Sequence, residues 1–275
     1  MATTMQPTTG ETTKQLVNYR KDGGVAVIEM CDPPANTYTY EMNRQLDEAI
    51  LRARMENDVY VILLTGAGDK FFSAGANIKM LSSVDPTFKY YFCLHANEML
   101  LRLEHTPKLV IAAINGHCVG GGLEIAMAAD IRIARRDAGK IGLPEVALGV
   151  LPGTGGTQRL ARLVGKSRAI ELMVTGKTVS FEQALDWGVV NDVYEGSAEE
   201  FRTQIVEYAK QFCSPNKAPM AVGHIKRSVQ TGAELPLHDA LAIERELQSL
   251  LFKSEDAKEG LAAYNEKRVA KFKNK

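Results

Sequence analysis

The glycine triplet Gly120-Gly121-Gly122 runs directly into Leu123-Glu124 and an apolar, alanine-rich stretch ending at Ala129. Glycine weakens helices and a carboxylate is costly to bury, so a buried helix opened in this way gives up stability. The loss makes sense where a ligand must approach bare backbone N–H groups beside an acid. A second acid, Glu145, is framed by Leu143-Pro144 and, further on, Pro152-Gly153. If the intervening chain folds back, the two carboxylates and the exposed amides supply what adding or removing water next to a carbonyl requires. Each signal alone is weak. A glycine triplet before a helix is more often a packing feature, and a Pro-Glu pair in a loop is usually a solvated acid.

The surrounding pattern is α/β. The β-branched runs 25–30, 59–65, 109–114 and 131–134 read as strands, each stopped by a polar or glycine-bearing turn. Between them 41–55, 88–103 and 123–129 carry apolar residues at helical spacing, which predicts parallel strands covered by helices. Ser180-Phe-Glu-Gln183 is a capping-box signature for a further helix to Trp187. Beyond Asn191 the segments 198–212, 218–231, 236–253 and 257–272 all read as helices. The expected organisation is a threonine-rich disordered tail over 1–13, a core over 14–196 and a helical oligomerisation region over 197–275.

Composition excludes several classes. The 275 residues are 45% hydrophobic and 24% charged, as in an ordinary globular protein. Lys plus Arg and Asp plus Glu number 33 each, so whole-chain charge points to no nucleic-acid partner. Cys31, Cys93, Cys118 and Cys213 are scattered without a CxxC pair, and no HxxxH pair occurs, so neither a disulfide frame nor a metal site is expected. No apolar run approaches the ~20 residues of a membrane helix. A cytoplasmic protein is expected.

The loop 66–79 is rich in small residues, and Ala76 is placed to offer its N–H without steric obstruction. With a second N–H from Gly121 at the start of the Glu124 helix, two donors aimed at one oxygen make an oxyanion hole. Other motifs read more blandly. His117 and Cys118 are neighbours on a strand and point to opposite faces, so they form no nucleophile pair. Gly153-Thr-Gly-Gly-Thr157 lacks the Lys-Ser/Thr of a phosphate loop. The rings of Phe88, Tyr90, Tyr91 and Phe92 read first as helix core, with a share in setting substrate size left open. The basic C-terminal stretch reads as a solvated face.

In combination the chain resembles the crotonase (enoyl-CoA hydratase/isomerase) superfamily. The resemblance runs from about Leu16 to the C-terminus and is carried by 72–79 (Phe-Ser-Ala-Gly-Ala-Asn-Ile-Lys), 114–124, 143–145, 151–160 and 264–268. It implies a crotonase-like spiral of ββα units with a helical C-terminal region, assembled as a homotrimer or homohexamer. It implies an enoyl-CoA hydratase that adds water across C2=C3 of a trans-2-enoyl-CoA, with the acyl-CoA thioester as substrate and no cofactor or metal. Glu124 and Glu145 match the acid/base pair, and Ala76 and Gly121 the oxyanion hole. Ala74, Ala76, Asn77, Ile78, Lys79, Gly121, Gly153, Tyr264 and Lys267 match CoA- or substrate-binding positions. The sequence departs from the family in Asn77, where Asp is usual, in Tyr38, where a small residue or leucine is usual, and in one extra residue between the glutamates. An enoyl-CoA isomerase, or another acyl-CoA enzyme of the same superfamily, is the alternative, although retention of both acids argues against it. A scaffold or RNA-binding protein with a vestigial site is a more distant one.

Overall fold

A computed structural model describes residues 14–275; the segment read as a tail, 1–13, lies outside the described residues. The chain opens with a hairpin, β1 (Val17–Asp22) and β2 (Val25–Met30), turned at Gly23-Gly24, where both glycines take positive φ. Helix α1 (Tyr40–Met55) follows, capped by the Thr39 hydroxyl, which accepts from the Met42 N–H. Next come β3 (Val61–Gly66), the short β4 (Phe71–Ser73), α2 (Ile78–Ser83) and α3 (Pro86–Glu104). The unit repeats as β5 (Leu109–Ile114), β6 (His117–Val119) and α4 (Gly121–Met127). It recurs as β7 (Ile131–Arg135), β8 (Ile141–Gly142), a 3-10 turn at Glu145–Leu148, α5 (Gly156–Val164) and α6 (Lys166–Thr175).

Each turn of this spiral places its long strand in one sheet and its short strand in another. The large sheet has the order β1-β2-β3-β5-β7 and is closed by β10 (Asp192–Tyr194). Every pair in it after the hairpin is parallel. The small sheet has the order β4-β6-β8-β9, where β9 is Thr178–Val179. Helix α7 (Phe181–Asp186) lies between β9 and β10, capped by Ser180. In the first turn the short strand shrinks to one parallel bridge between Tyr38 and Ala76.

Strands buried on both faces read as continuous apolar runs. Ala26, Ile28, Ile62, Leu64 and Ala112 face the main core, while Val25, Val27, Val61, Leu63 and Ile111 face the other way. That second face is covered by Phe201, Ile205 and Ala209 of α8 (Ala198–Lys210). Three more helices follow: α9 (Pro219–Gly232), α10 (Leu237–Phe252) and α11 (Glu255–Asn265).

The last helix is shorter than the 257–272 expected from sequence. It stops at Asn265, with Lys267 at φ 57. The tail then folds back, and the N–H groups of Lys273 and Asn274 donate to the buried Asp256 carboxylate at 2.7 and 2.8 Å. A lysine-rich segment satisfied by a buried acid has no need to stay helical. Asp130, on the core, pairs with the buried Lys226 of α9 at 2.9 Å, fixing that helix to the core. Among the described residues no helix is long and apolar enough to cross a membrane.

Candidate active site

Helix α4 starts inside the protein. Gly120, before it, holds φ 56, and a side chain at Gly122 would collide with the Ser73 carbonyl oxygen, its Cβ falling at 2.3 Å. The small-residue loop after β4 therefore packs directly on the helix start. Gly75, at φ 87, comes so close that a Cβ there would lie 2.9 Å from the Gly121 nitrogen. The loop is pinned from both sides: Ala74 N–H donates to the Ala35 carbonyl at 2.9 Å, and Asn77 N–H donates to the Tyr38 carbonyl at 3.0 Å. Among the described residues, neither the Ala76 N–H nor the Gly121 N–H has a hydrogen-bond acceptor. Both residues line one cavity of about 280 Å³, which Glu124 and Glu145 also line.

Glu124 lies one turn into α4, on the face of Gly121, and is 2% exposed. Its Oε1 accepts the N–H groups of Thr154 and Gly156, both at 2.7 Å, and its Oε2 accepts the Thr154 hydroxyl. The glycine-rich segment 153–156 therefore serves a carboxylate where a phosphate loop would serve a phosphate. Gly156 must be small, since a Cβ there would lie 3.0 Å from the same Oε1.

Glu145 opens the 3-10 turn on the opposite side. Its Oε1 packs over Gly120, and its buried Oε2 has no hydrogen-bond partner among the described residues. Burial raises its pKa to about 7, and the Glu124 charge adds to the rise; its own backbone N–H and Lys89 oppose it. The two acids thus differ in kind. Glu124 is saturated with donors, whereas Glu145 has a free oxygen and titrates near neutrality.

The other expected site residues divide into those in the cavity and those outside it. Ala74, Ile78 and Gly153 line it. Asn77 does not; it caps α2, its Oδ1 accepting from Met80 N–H at 3.0 Å and its Nδ2 donating to the Thr37 hydroxyl at 3.3 Å. An amide can do both, which accounts for Asn where an acid is usual. Lys79 is exposed beside it and outside the cavity lining. Tyr264 and Lys267 lie at the end of α11 away from this cavity, and Tyr264 is 84% exposed. Tyr90 and Tyr91 are exposed, whereas Phe92 is core. Cys118 is buried, its thiol pKa raised by burial, while His117 Nδ1 accepts the Lys140 N–H at 3.1 Å. The packing reading of that pair holds.

Sequence reading missed Thr154 as a partner of Glu124, and it saw Tyr38 only as a departure. The signal for Thr154 was present in Gly153-Thr-Gly-Gly, where a run of free N–H donors needs an anion.

The family model described as enoyl-CoA hydratase/isomerase matches residues 20–275. The chain is 40% identical to the short-chain-enoyl-CoA hydratase of Clostridium acetobutylicum, over 94% of this chain and 98% of that one. It is 35% identical to the crotonyl-CoA hydratase of Syntrophomonas wolfei, over 93% of this chain and 96% of that one. Among solved structures it is similar to an enoyl-CoA hydratase of Geobacillus kaustophilus, at 46% identity and a TM-score of 0.91, covering 96% of this chain and 98% of that chain.

Proposed function

The chain belongs to the enoyl-CoA hydratase/isomerase family and is an enoyl-CoA hydratase, and we propose that Glu124 and Glu145 carry its reaction. The thioester oxygen of a trans-2-enoyl-CoA sits between the N–H groups of Ala76 and Gly121. Donors already in place, at the positive end of α4, stabilise the negative charge that develops there. Glu124 takes a proton from water as its oxygen attacks C3. The C2=C3 electrons move into the thioester as an enolate. Glu145, protonated, delivers its proton to C2, and the product is the 3-hydroxyacyl-CoA. Proton transfer back through water resets the pair.

One observation carries this reading: two acceptor-free N–H groups and two inequivalent glutamates line a single cavity. A group with a pKa of about 7 can both hold and release a proton at working pH, which suits Glu145 to the C2 step. The scheme calls for no cofactor. Ala74 to Ile78 hold the near end of CoA, while Tyr264 and Lys267 reach the CoA of a neighbouring subunit in a trimer or a dimer of trimers. Four unpaired thiols fit a cytoplasmic location.

The test is loss of absorbance at the conjugated enoyl-thioester band when the protein is added to crotonyl-CoA and longer or branched 2-enoyl-CoAs. Hydration of at least one is expected. A folded protein that hydrates none, or that only moves the double bond, would sink the scheme.

A further inference from the structure

Glu124 is held by a segment to which it does not belong. Two of its donors are the backbone N–H groups of Thr154 and Gly156, and the third is the Thr154 hydroxyl. A carboxylate held in this way is only as well aimed as residues 153–156. Three of those four residues are glycines, which leave a backbone loose unless something outside fixes it.

Arg159, near the start of α5, supplies that fixing. Its Nη1 donates to the Thr154 carbonyl at 3.1 Å, so Thr154 is gripped by its carbonyl while its N–H and hydroxyl serve Glu124. The guanidinium also lies against Gly155, where a Cβ would collide with Nη1. The remaining nitrogens fork onto Glu104, the last residue of α3, with Nε to Oε1 at 2.8 Å and Nη2 to Oε2 at 2.7 Å. Such pairing fixes the guanidinium plane as well as its place. Both side chains are largely buried, 14% and 16% exposed, and a pair of this kind is screened less than one on the surface. Helix α3 is itself rooted in the core through Phe92, Met99 and Leu103. Contacts therefore run from the core through Glu104, Arg159 and Thr154 to the Glu124 carboxylate.

An Arg–Glu pair between two helices is ordinarily a packing clasp, and this one does join α3 to α5. A clasp has no need of the third contact, to Thr154. Nor does it favour an arginine close to a helix N-terminus, where positive charge is the less stable sign. Arg159 does not line the catalytic cavity, so it reaches the reaction only through other residues.

We propose that Arg159, held by Glu104, is a positioning residue for hydration, locking the Thr154 peptide so that its donors aim Glu124 at the attacking water. This rests on the reading of Glu124 as the base.

Steady-state kinetics on crotonyl-CoA in a double-mutant cycle separate this role from a clasp, with thermal melts confirming that each variant folds. Arg159→Met should lower kcat about 10–100-fold, the cost of a small misplacement at the reacting centre, with KM nearly unchanged. Arg159→Lys keeps the charge but cannot make the Glu104 fork and the Thr154 contact together. It should lose kcat in the same way, and it decides the matter if the methionine variant does not fold. In a Glu124→Gln background no base is left to aim, so either substitution should lower kcat by less than about twofold further. The same factor in both backgrounds, a loss confined to KM, or wild-type kcat in a folded Arg159 variant would overturn the positioning role alone. Wild-type kcat in Glu124→Gln would instead overturn the base reading, and the positioning role with it.

Discussion

Glu145 has a pKa near 7 because it is half-buried and faces another acid across the cavity, and that placement has two measurable consequences. The hydration step needs its protonated form, so kcat/KM for hydration is expected to fall as pH rises through about 7, while kcat/KM for dehydration rises over the same interval. Glu124→Gln and Glu145→Gln should each lower kcat by roughly 10²–10⁴-fold, the usual value of a positioned acid or base. Because both act on one water and one substrate, the double variant should lose far less than the product. A full effect of Glu145→Gln with none from Glu124→Gln would favour isomerase chemistry. The second consequence is in stability. The folded-state pKa is raised, so the folded protein keeps a proton that the unfolded chain gives up above its ordinary carboxylate pKa, about 4.5. Stability is therefore lost as pH rises from about 4.5 to about 7 and stays lost above that. Glu145→Gln removes the loss. Its gain in melting temperature should be near zero at pH 4 and clearly positive at pH 8. An equal gain at both pH values would contradict the placement. Both acids were legible in the sequence because their glycine and proline frames are local. The donors of Gly153-Thr-Gly-Gly signalled an anion but not that it would be Glu124, thirty positions away from Thr154, and Tyr38 was not legible, because no local pattern records which distant side chain will fill a corner.

At the scale of elements, the long strands and covering helices were readable from periodicity. The short strands β4, β8 and β9 were not, since two or three residues carry no period, and their pairing is set by the spiral as a whole. Yet that small sheet positions the oxyanion donors. Beside it the Tyr38 ring leaves no room for a Cβ on Gly121, which explains a glycine that no positive φ demands. Gly121→Ala is accordingly expected to destabilise the fold by about 1–3 kcal/mol through overpacking. In a Tyr38→Ala background the added methyl has room, and the cost should fall by about 1 kcal/mol or more, a coupling proper to residues in contact. Denaturant melts of the four variants complete the cycle. Additive costs would mean that Tyr38 does not press on the helix start and that the chamber is shaped differently. Loss of activity in Gly121→Ala that is restored together with stability would place the defect in donor position, since the N–H itself is retained.

The whole molecule leaves an apolar surface to account for. Ile225, Val229, Leu237, Phe252, Leu261 and Tyr264 of α9 to α11 are each more than half exposed in the single chain. Of these, Ile225, Phe252 and Leu261 border one surface groove, and exposed apolar surface of this kind marks an interaction face. The buried Lys226–Asp130 pair fixes α9 to the core, so that face is presented by a helix that cannot fold it away. Tyr264 and Lys267 do not line their own chain's cavity, which is consistent with the proposed contact to CoA being made across a subunit boundary. Light scattering at micromolar concentration is therefore expected to give a trimer or a multiple of three, and Val229→Asp or Phe252→Asp should lower the mass. Tyr264→Ala should then raise KM for acyl-CoA while leaving kcat nearly unchanged, because contact with the distal part of CoA is uniform binding, equal in ground and transition states. In a variant already dissociated by Val229→Asp, the same substitution should have no further effect on KM, since the neighbour that needed the tyrosine is gone. A wild-type monomer would remove the interface. A KM effect of Tyr264→Ala that persists in the monomeric background would move the CoA contact into the chain's own site.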